Sequence, residues 1–510
     1  MKEKLKKINP VSVILLALGS LLLILALYIH FGFDNITVEQ LIFSATVKTE
    51  ATSFDAIKGG LTIIIIGIPA ILLIYGLIEY LISKFIRGRV TFEIRFFKKR
   101  FEHDLFTMTK KRRLIASIVI FFIMAFMGAH IIKLDKYIIG KLSTTEIFEK
   151  YYLDTNKAEI TFEGKKHNLI YIYVESLEST LASKLNGGIF DESVIPNLES
   201  YAENNTNFSY NSGVGGFYSV IGTQWTVAAM IAQTSSTPLR LNIDGNSYSG
   251  YSSMMPGVKS LGEYLNDNGY KNYLMMGSDA SYGGRRDYFT QHGNYEIYDY
   301  LWAKEEKLIP EDYHVWWGFE DKKLFKYAKN QLAKIASKNE PFNFTLLTAD
   351  THFIDGYLDK SCDKPFSSHY ANTFHCSDSM IYEFVEWIKK QDFFKDTTLI
   401  IVGDHPTMQS NFYPEGTKYR TVYNVIMNSL VEADNSKNRI ATTFDMYPTT
   451  LASIGATIKG NKIGFGTNLY SNEKTLAEVV GTEYINKEFD KKSFYYDNEI
   501  LGTSYYEMGG

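Results

Sequence analysis

The hydrophobic pattern divides the chain into two unlike parts. The first 134 residues carry three long apolar runs, at about 11–31, 61–82 and 114–132. Crossing a bilayer as a helix takes about 20 apolar residues, so each run predicts a membrane-spanning helix. None holds an internal Lys, Arg or Asp, and Glu79 falls at the end of the second run, within reach of the interface. Residues 135–166 read as a polar linker with a short amphipathic helix that puts Ile147, Phe148, Tyr151 and Tyr152 on one face. Such a helix suits either a membrane surface or the flank of the next domain.

From residue 167 the pattern changes to short β-forming runs separated by helical ones. Asn168–Val174, Phe344–Thr348 and Thr398–Val402 are nearly continuous apolar strands. Helical periodicity runs through Val258–Asn268, Lys322–Lys338 and Ser377–Lys390. Strands alternating with helices predict an α/β domain over 167–470, a mostly parallel sheet flanked by helices. Residues 471–510 are polar and Tyr-rich and read as a C-terminal extension with no assigned role.

Charge sets the expected orientation. Lys2, Lys4, Lys6 and Lys7 precede the first run. Between the second and third runs stand Lys84, Arg87, Arg89, Arg95, Lys98, Lys99, Arg100 and Lys110–Arg113, whereas the loop between the first two holds only Lys48 and Lys58. Basic flanks stay in the cytoplasm, so everything after Lys133 is expected outside the cytoplasmic membrane. The basic loop needs no role beyond retention and contact with anionic lipid. A cleaved leader is disfavoured: the first run is too long and no small-residue cleavage site follows it.

Composition adds little. A net charge of -4 gives no sign of a nucleic-acid partner. The two cysteines, Cys362 and Cys376, fall in the outward part. In an oxidising compartment they are a disulfide candidate, with two free thiols as the alternative. No CxxC spacing marks them as a metal pair.

The chemistry gathers at strand ends. The first strand stops in Glu175, the last in Asp404-His405, and the middle one leads to Asp350 and His352. Carboxyl ends of strands are where α/β proteins place their sites. Two carboxylates and an imidazole suit Mn²⁺, Mg²⁺ or Zn²⁺ with a position left open. An Asp-His pair alone reads more simply as a loop contact; three converging strand ends reverse that. The stretch Ser212–Gln233 runs from glycines through Thr223 and Thr226 into strong helix formers. A hydroxyl at a helix N-terminus beside a metal is a candidate nucleophile, though Thr226 equally reads as a plain N-cap. Thr223 is the runner-up and Ser219 a weaker third. Arg285 and Arg286 in a glycine-rich loop suit a phosphate clamp, or a solvated surface pair.

Together these residues resemble the phosphoglycerol transferases of the alkaline phosphatase and sulfatase superfamily. The resemblance rests on Tyr173–Glu178, Gly222–Met230, Thr348–His352, His375–Asp378, Val402–His405 and Asp445–Thr449. It is nearer to the glucan-decorating phosphoglycerol transferase I branch than to lipoteichoic acid synthases; three spans and the cysteine pair fit that branch better. It implies one divalent metal, Mn²⁺ first, held by Glu175, Thr226, Asp404 and His405. It implies Thr226 as nucleophile, with His352 and Arg285 or Arg286 holding substrate; His352, near Asp350 after a strand, is also a catalytic candidate as general acid. The implied donor is phosphatidylglycerol, the acceptor a periplasmic glucan or another glycan or lipid-linked acceptor of the cell envelope, and the place the bacterial inner membrane. Alternatives are a lipoteichoic acid synthase-type polymerase, a phosphoethanolamine transferase, and a phosphodiesterase- or sulfatase-type hydrolase. Formylglycine sulfatases mature a Cys or Ser that is missing at this position, which weakens the last.

Overall fold

The computed structural model describes residues 9–33, 36–38, 41–42, 54–85, 91–96, 99–104, 109–240, 253–409, 411–414 and 416–502. Of the basic residues that set the orientation, Lys2, Lys4, Lys6, Lys7, Lys48, Arg87, Arg89 and Lys98 lie outside these. The chain forms two units, one of residues 1–38 and 52–138, the other of 39–51 and 139–510.

The first unit contains α1 (Pro10–Gly32), α2 (Phe54–Phe85) and α3 (Lys110–Ile131). All three are long and apolar enough to cross a membrane. Their surfaces stay largely apolar and outward-facing, as a lipid solvent requires. Gly19 lets α1 and α3 close up: a Cβ there would meet the Phe121 Cα at 3.3 Å. Glu79 accepts a hydrogen bond from Arg113 Nε at 2.6 Å, so the one acid of the second run is paired.

The second unit is built on a seven-stranded sheet. In chain order its strands are β1 (Asn168–Val174), β2 (Gly216–Phe217), β3 (Lys271–Met276), β4 (Glu296–Tyr298), β5 (Phe342–Leu347), β6 (Thr397–Gly403) and β7 (Val422–Met427). In space they run β2-β7-β6-β1-β5-β3-β4. The ladder from β6 to β4 is parallel; β7 and β2 are antiparallel. β1 is apolar without alternation because both faces are covered. Tyr171 and Tyr173 pack into one core, and Ile170, Ile172 and Val174 into the other. Four helices matter to the site: α4 (Pro196–Asn204), α5 (Thr226–Ser235), α6 (Asp321–Ala336) and α7 (His369–Lys389). The helical expectation from Ser377 missed the first two turns of α7. Ser368 caps that helix, accepting from Ala371 N; His369, Asn372 and His375 break the apolar stripe there.

Two segments are packed more closely than the sequence pattern shows. Residues 135–166 are not a free linker. Ile147 and Phe148 are buried in the core of the second unit, Thr145 bonds Glu488, and Ile160–Thr161 pairs with Thr457–Ile458. The short helix therefore packs on its own domain rather than on a lipid surface. Nor is 471–510 a loose extension: Leu476, Ile485, Phe489, Tyr496 and Ile500 enter the same core, while 503–510 lie outside the described residues.

Candidate active site

Parallel pairing sets the geometry. β1 registers Val174 against Gly403 of β6 and Tyr173 against Leu347 of β5. The next residues, Glu175, Asp404 and Thr348, therefore leave the sheet side by side at its carboxyl edge. Ser176 has a positive φ of 58°, and its N–H donates to Asp404 Oδ1 at 2.7 Å while its hydroxyl donates to Glu175 Oε1 at 2.7 Å. Thr348 Oγ1 accepts from Glu175 N, and Thr351 Oγ1 donates to Glu175 O. The backbone around Glu175 is thus fixed from both sides.

Ligand atoms of Glu175, Asp404 and His405 all lie within 4.8 Å of one another, and all three residues are buried. His405 Nδ1 faces Pro406 O at 2.9 Å, so it carries the ring proton. Nε2 is directed at Glu175 Oε1 (3.5 Å) and Asp404 Oδ2 (3.4 Å), and in the neutral ring it is the nitrogen free to bind a metal. Asp404 Oδ2 is buried without a hydrogen-bond partner. Burial and the charge of Glu175 push the Asp404 carboxyl up to about 8, while His405 and His352 overcome burial to hold Glu175 below its ordinary range. Two carboxylates this buried ionise together only with a cation between them. The donor set, the inward-directed Nε2 and the orphaned oxygen all fit a divalent ion.

Thr226 is the first residue of α5; the capping position is Trp225, so the N-cap reading fails. Its hydroxyl donates to Glu175 Oε2 at 3.2 Å and lies 3.4 Å from His405 Nε2. Thr223 is spent elsewhere: it is fully buried and its hydroxyl bonds the Val220 carbonyl and N–H. Ser219 bonds Thr223 in the same turn. Of the three hydroxyls, only that of Thr226 faces the carboxylates and imidazole.

Arg285 turns inward. Its guanidinium is held by Tyr282 O, Ser278 Oγ and Asp279 O, and its charge reaches both Glu175 and His352. Arg286 points away and pairs with Asp299. The glycine-rich loop therefore brings one arginine to the site rather than two. His352 sits against the Trp317 ring, centroids 4.5 Å apart, and Tyr282 also packs on Trp317, centroids 5.7 Å apart. Burial holds His352 below its usual pKa, and its Nδ1 faces Phe353 O. With Nδ1 facing a carbonyl, Nε2 of the neutral ring is an acceptor able to take a hydroxyl proton.

Sequence reasoning missed the supporting residues. Gln233, fully buried on α5, donates to Gly403 O and Asp404 O while accepting from the Tyr171 hydroxyl. Tyr370 of α7 bridges Thr351 O and Thr407. Glu178 was visible in the first motif, three residues past Glu175. It accepts a two-pronged bond from Arg420 and the Thr407 N–H, bracing the loop after His405. Outside the site, Cys362 and Cys376 are joined in a disulfide, Cα atoms 5.5 Å apart. Asp378 accepts from Asn197 N and Leu198 N at the start of α4.

Residues 167–456 match the sulfatase family, and the chain belongs to it. Among curated relatives the chain is 32% identical over 276 residues to a phosphoglycerol transferase I of Salmonella typhi, covering 52% of this chain and 33% of the relative. A phosphoglycerol transferase I of Salmonella choleraesuis is 29% identical over 346 residues, covering 65% and 42%. The match thus spans well under half the length of these relatives. Among solved structures the chain is similar to the lipoteichoic acid synthase LtaP of Listeria monocytogenes, with 19% identity, TM-score 0.49, and coverage of 62% of this chain and 80% of that one.

Proposed function

We propose that this protein transfers a phosphoglycerol group from phosphatidylglycerol, through a phospho-threonine intermediate on Thr226, to a glycan of the cell envelope. The observation that carries the proposal is the Thr226 hydroxyl, 3.2 Å from Glu175 Oε2 inside the buried cluster. The reading is supported by the relatives named phosphoglycerol transferase I. Glu175, Asp404, His405 and Thr226 Oγ1 would hold a divalent ion, Mn²⁺ first, with Mg²⁺ or Zn²⁺ as alternatives. Bound there, the ion lowers the pKa of the hydroxyl and screens phosphate charge.

The residues of the chain supply the rest. Arg285 balances the single charge of the phosphodiester. Thr226 Oγ1 attacks phosphorus and its proton passes to Glu175 Oε2. The bond from phosphorus to the diacylglycerol oxygen breaks, and that oxygen takes the proton, so diacylglycerol leaves as an alcohol. In the second half an acceptor hydroxyl attacks the same phosphorus, giving its proton to His352 Nε2. The bond to Thr226 breaks, and Thr226 recovers a proton from His352. A lipid donor gives the apolar helices of the first unit a use beyond tethering. We place the protein in the bacterial inner membrane with the second unit outside.

The test is mass spectrometry of the full chain after incubation with head-group-labelled phosphatidylglycerol and Mn²⁺. A glycerophosphate adduct on the Thr226 peptide is expected, and Thr226→Ala abolishes it. An adduct that survives in Thr226→Ala overturns the nucleophile; an ethanolamine-phosphate adduct overturns the donor.

A further inference from the structure

Three tyrosines form a patch that the proposed reaction leaves unused. Tyr210 packs on Tyr218 with centroids 5.7 Å apart and on Tyr419 at 5.6 Å, in tilted arrangements. Tyr419 is 58% exposed, whereas Tyr210 and Tyr218 are half-buried. The rings come from separate stretches of chain, so the patch is made by the fold and not by a local run.

Its position follows from strand register. β7 runs antiparallel to β6 with Asn424 opposite Val402, and β2 runs antiparallel to β7 with Phe217 opposite Val422. Tyr419 just before β7 and Tyr218 just after β2 therefore lie at the same sheet edge as Asp404 and Glu175. Strands are spaced about 4.8 Å apart, so β2 lies roughly 10 Å across the sheet from β6. Eight residues after Tyr218 the chain reaches Thr226.

The three rings are themselves uncharged, and Lys418 and Arg420 flank Tyr419 along the chain. Burial pushes Tyr218 up to about 12, and the only other contributions come from the Tyr210 and Tyr419 phenols. Tyr210 is raised by burial, with Asn211 and Tyr419 the only other groups that reach it. Arg420, the neighbour of Tyr419, is committed to Glu178 and to Thr407 O. The ring faces themselves offer no charge to a phosphate head group. Aromatic faces carry negative charge density, and the axial C–H groups of a pyranose carry a slight positive one. Ring faces with phenol hydroxyls at their rims match a sugar's apolar face and its equatorial hydroxyls.

We propose that Tyr210, Tyr218 and Tyr419 form a binding platform for neutral sugar residues of the acceptor, one or two residues away from the hydroxyl that is phosphorylated. This rests on the transfer reading above for its biological use, but sugar binding itself is measurable without turnover.

The probe is a β-linked glucose tetrasaccharide, titrated into the detergent-solubilised full chain and followed by saturation-transfer NMR and calorimetry. Wild type is expected to bind at millimolar or better affinity, with the ring protons of one or two sugars saturated most. Tyr419→Ala is expected to weaken binding at least tenfold and Tyr419→Phe, which keeps the ring, less than threefold. Tyr218→Ala serves as the second variant, with the thermal midpoint as the folding check. Unchanged affinity in both alanine variants overturns the platform, as does an absence of binding to wild type. It is also overturned if the alanine variants instead lose binding to phosphatidylglycerol vesicles. Sugar binding without a Thr226 adduct would overturn the transferase reading and leave the platform standing.

Discussion

Gln233 ties the nucleophile's helix to the strand end that carries Asp404: its amide donates to Gly403 O at 3.2 Å while its carbonyl accepts the Tyr171 hydroxyl at 2.8 Å. Thr226 and Gln233 are seven residues apart, two turns of one helix. The side-chain amide therefore fixes how far the hydroxyl stands from the carboxylates. Gln233→Ala leaves a buried tyrosine hydroxyl and a buried carbonyl without partners, which costs about 1–3 kcal/mol. We expect a lower thermal midpoint and a fall of about tenfold or more in the rate of adduct formation on Thr226. Gln233→Glu is expected to be worse, since a carboxylate would face two carbonyl oxygens. Equal rates in wild type and Gln233→Ala would remove this positioning role.

Asp404 offers a cleaner separation of fold from chemistry. Its Oδ1 accepts from Ser176 N and His405 N, a task an asparagine oxygen can take over, while its Oδ2 is the orphan. Asp404→Asn is therefore expected to fold with a thermal midpoint at or above that of metal-free wild type, because a carboxyl whose charged form is disfavoured by burial gives way to a neutral amide. Mn²⁺ at a hundred times its Kd stabilises a binding-competent fold by about 2.7 kcal/mol. We expect that upshift in wild type and none in Asp404→Asn. Calorimetric scans with Mn²⁺ and with EDTA measure both, and an equal Mn²⁺ shift in the variant would move the metal elsewhere.

Much of this site was legible in the sequence because its cause is local. A strand buried on both faces must be apolar, so Glu175 and Asp404 stand out as the first charges after β1 and β6. Choosing between Thr223 and Thr226 was not local: both follow glycines, and only the contact of Thr223 with Val220 removes it. Arg285 and Arg286 likewise differ only in where Asp299 lies. The boundaries misled for another reason. Ile147-Phe148 and the apolar residues after Ser471 sit in helices too short to show a period, yet they fill one core. Gln233 and Arg420 carry no sequence signal because their main partners, Tyr171 and Glu178, are far along the chain, and so is the Asp404 that Ser176 N–H meets.

Asp321 and Asp350 make a pH prediction. The Asp321 carboxylate accepts from Ala349 N and Asp350 N, Asp350 Oδ2 accepts from Asp321 N, and Asp350 Oδ1 is buried without a partner. This exchange locks the turn that leads to His352. Burial pushes Asp321 up to about 7, and burial with the charge of Asp321 pushes Asp350 well above the carboxylate range. Carboxyls raised in the folded state bind more protons folded than unfolded. Their effect is therefore to lower stability as pH rises from about 4 through the folded values. The thermal midpoint is expected to fall between pH 5 and pH 8, and less so in Asp350→Asn, which removes one titrating group. Asp321→Asn, by contrast, turns an amide toward two N–H donors and is expected to destabilise at every pH. Parallel pH profiles for wild type and Asp350→Asn would refute the assignment.

Arg420 gives the last test, because it acts on His405 through the backbone alone. Its Nε and Nη2 grip the two oxygens of Glu178 at 2.9 and 2.6 Å, and Nη2 also reaches Thr407 O at 2.6 Å. Glu178 Oε1 returns a bond to Thr407 N at 2.9 Å. Thr407 is thus held at both its N–H and its carbonyl, two residues past the imidazole. The Glu178 side chain is fully buried and that of Arg420 is 12% exposed. Removing one partner of a buried pair strands the other, at a cost of about 3–5 kcal/mol. Arg420→Lys keeps the charge but cannot grip both carboxylate oxygens and the carbonyl at once. We expect Arg420→Lys to fold, to bind Mn²⁺ at least tenfold more weakly, and to form the Thr226 adduct more slowly at limiting metal, with the rate recovering as Mn²⁺ is raised. A purely structural role would lower the thermal midpoint and leave the Mn²⁺ dependence where it was. Titrating adduct formation against Mn²⁺ in wild type and Arg420→Lys separates the two.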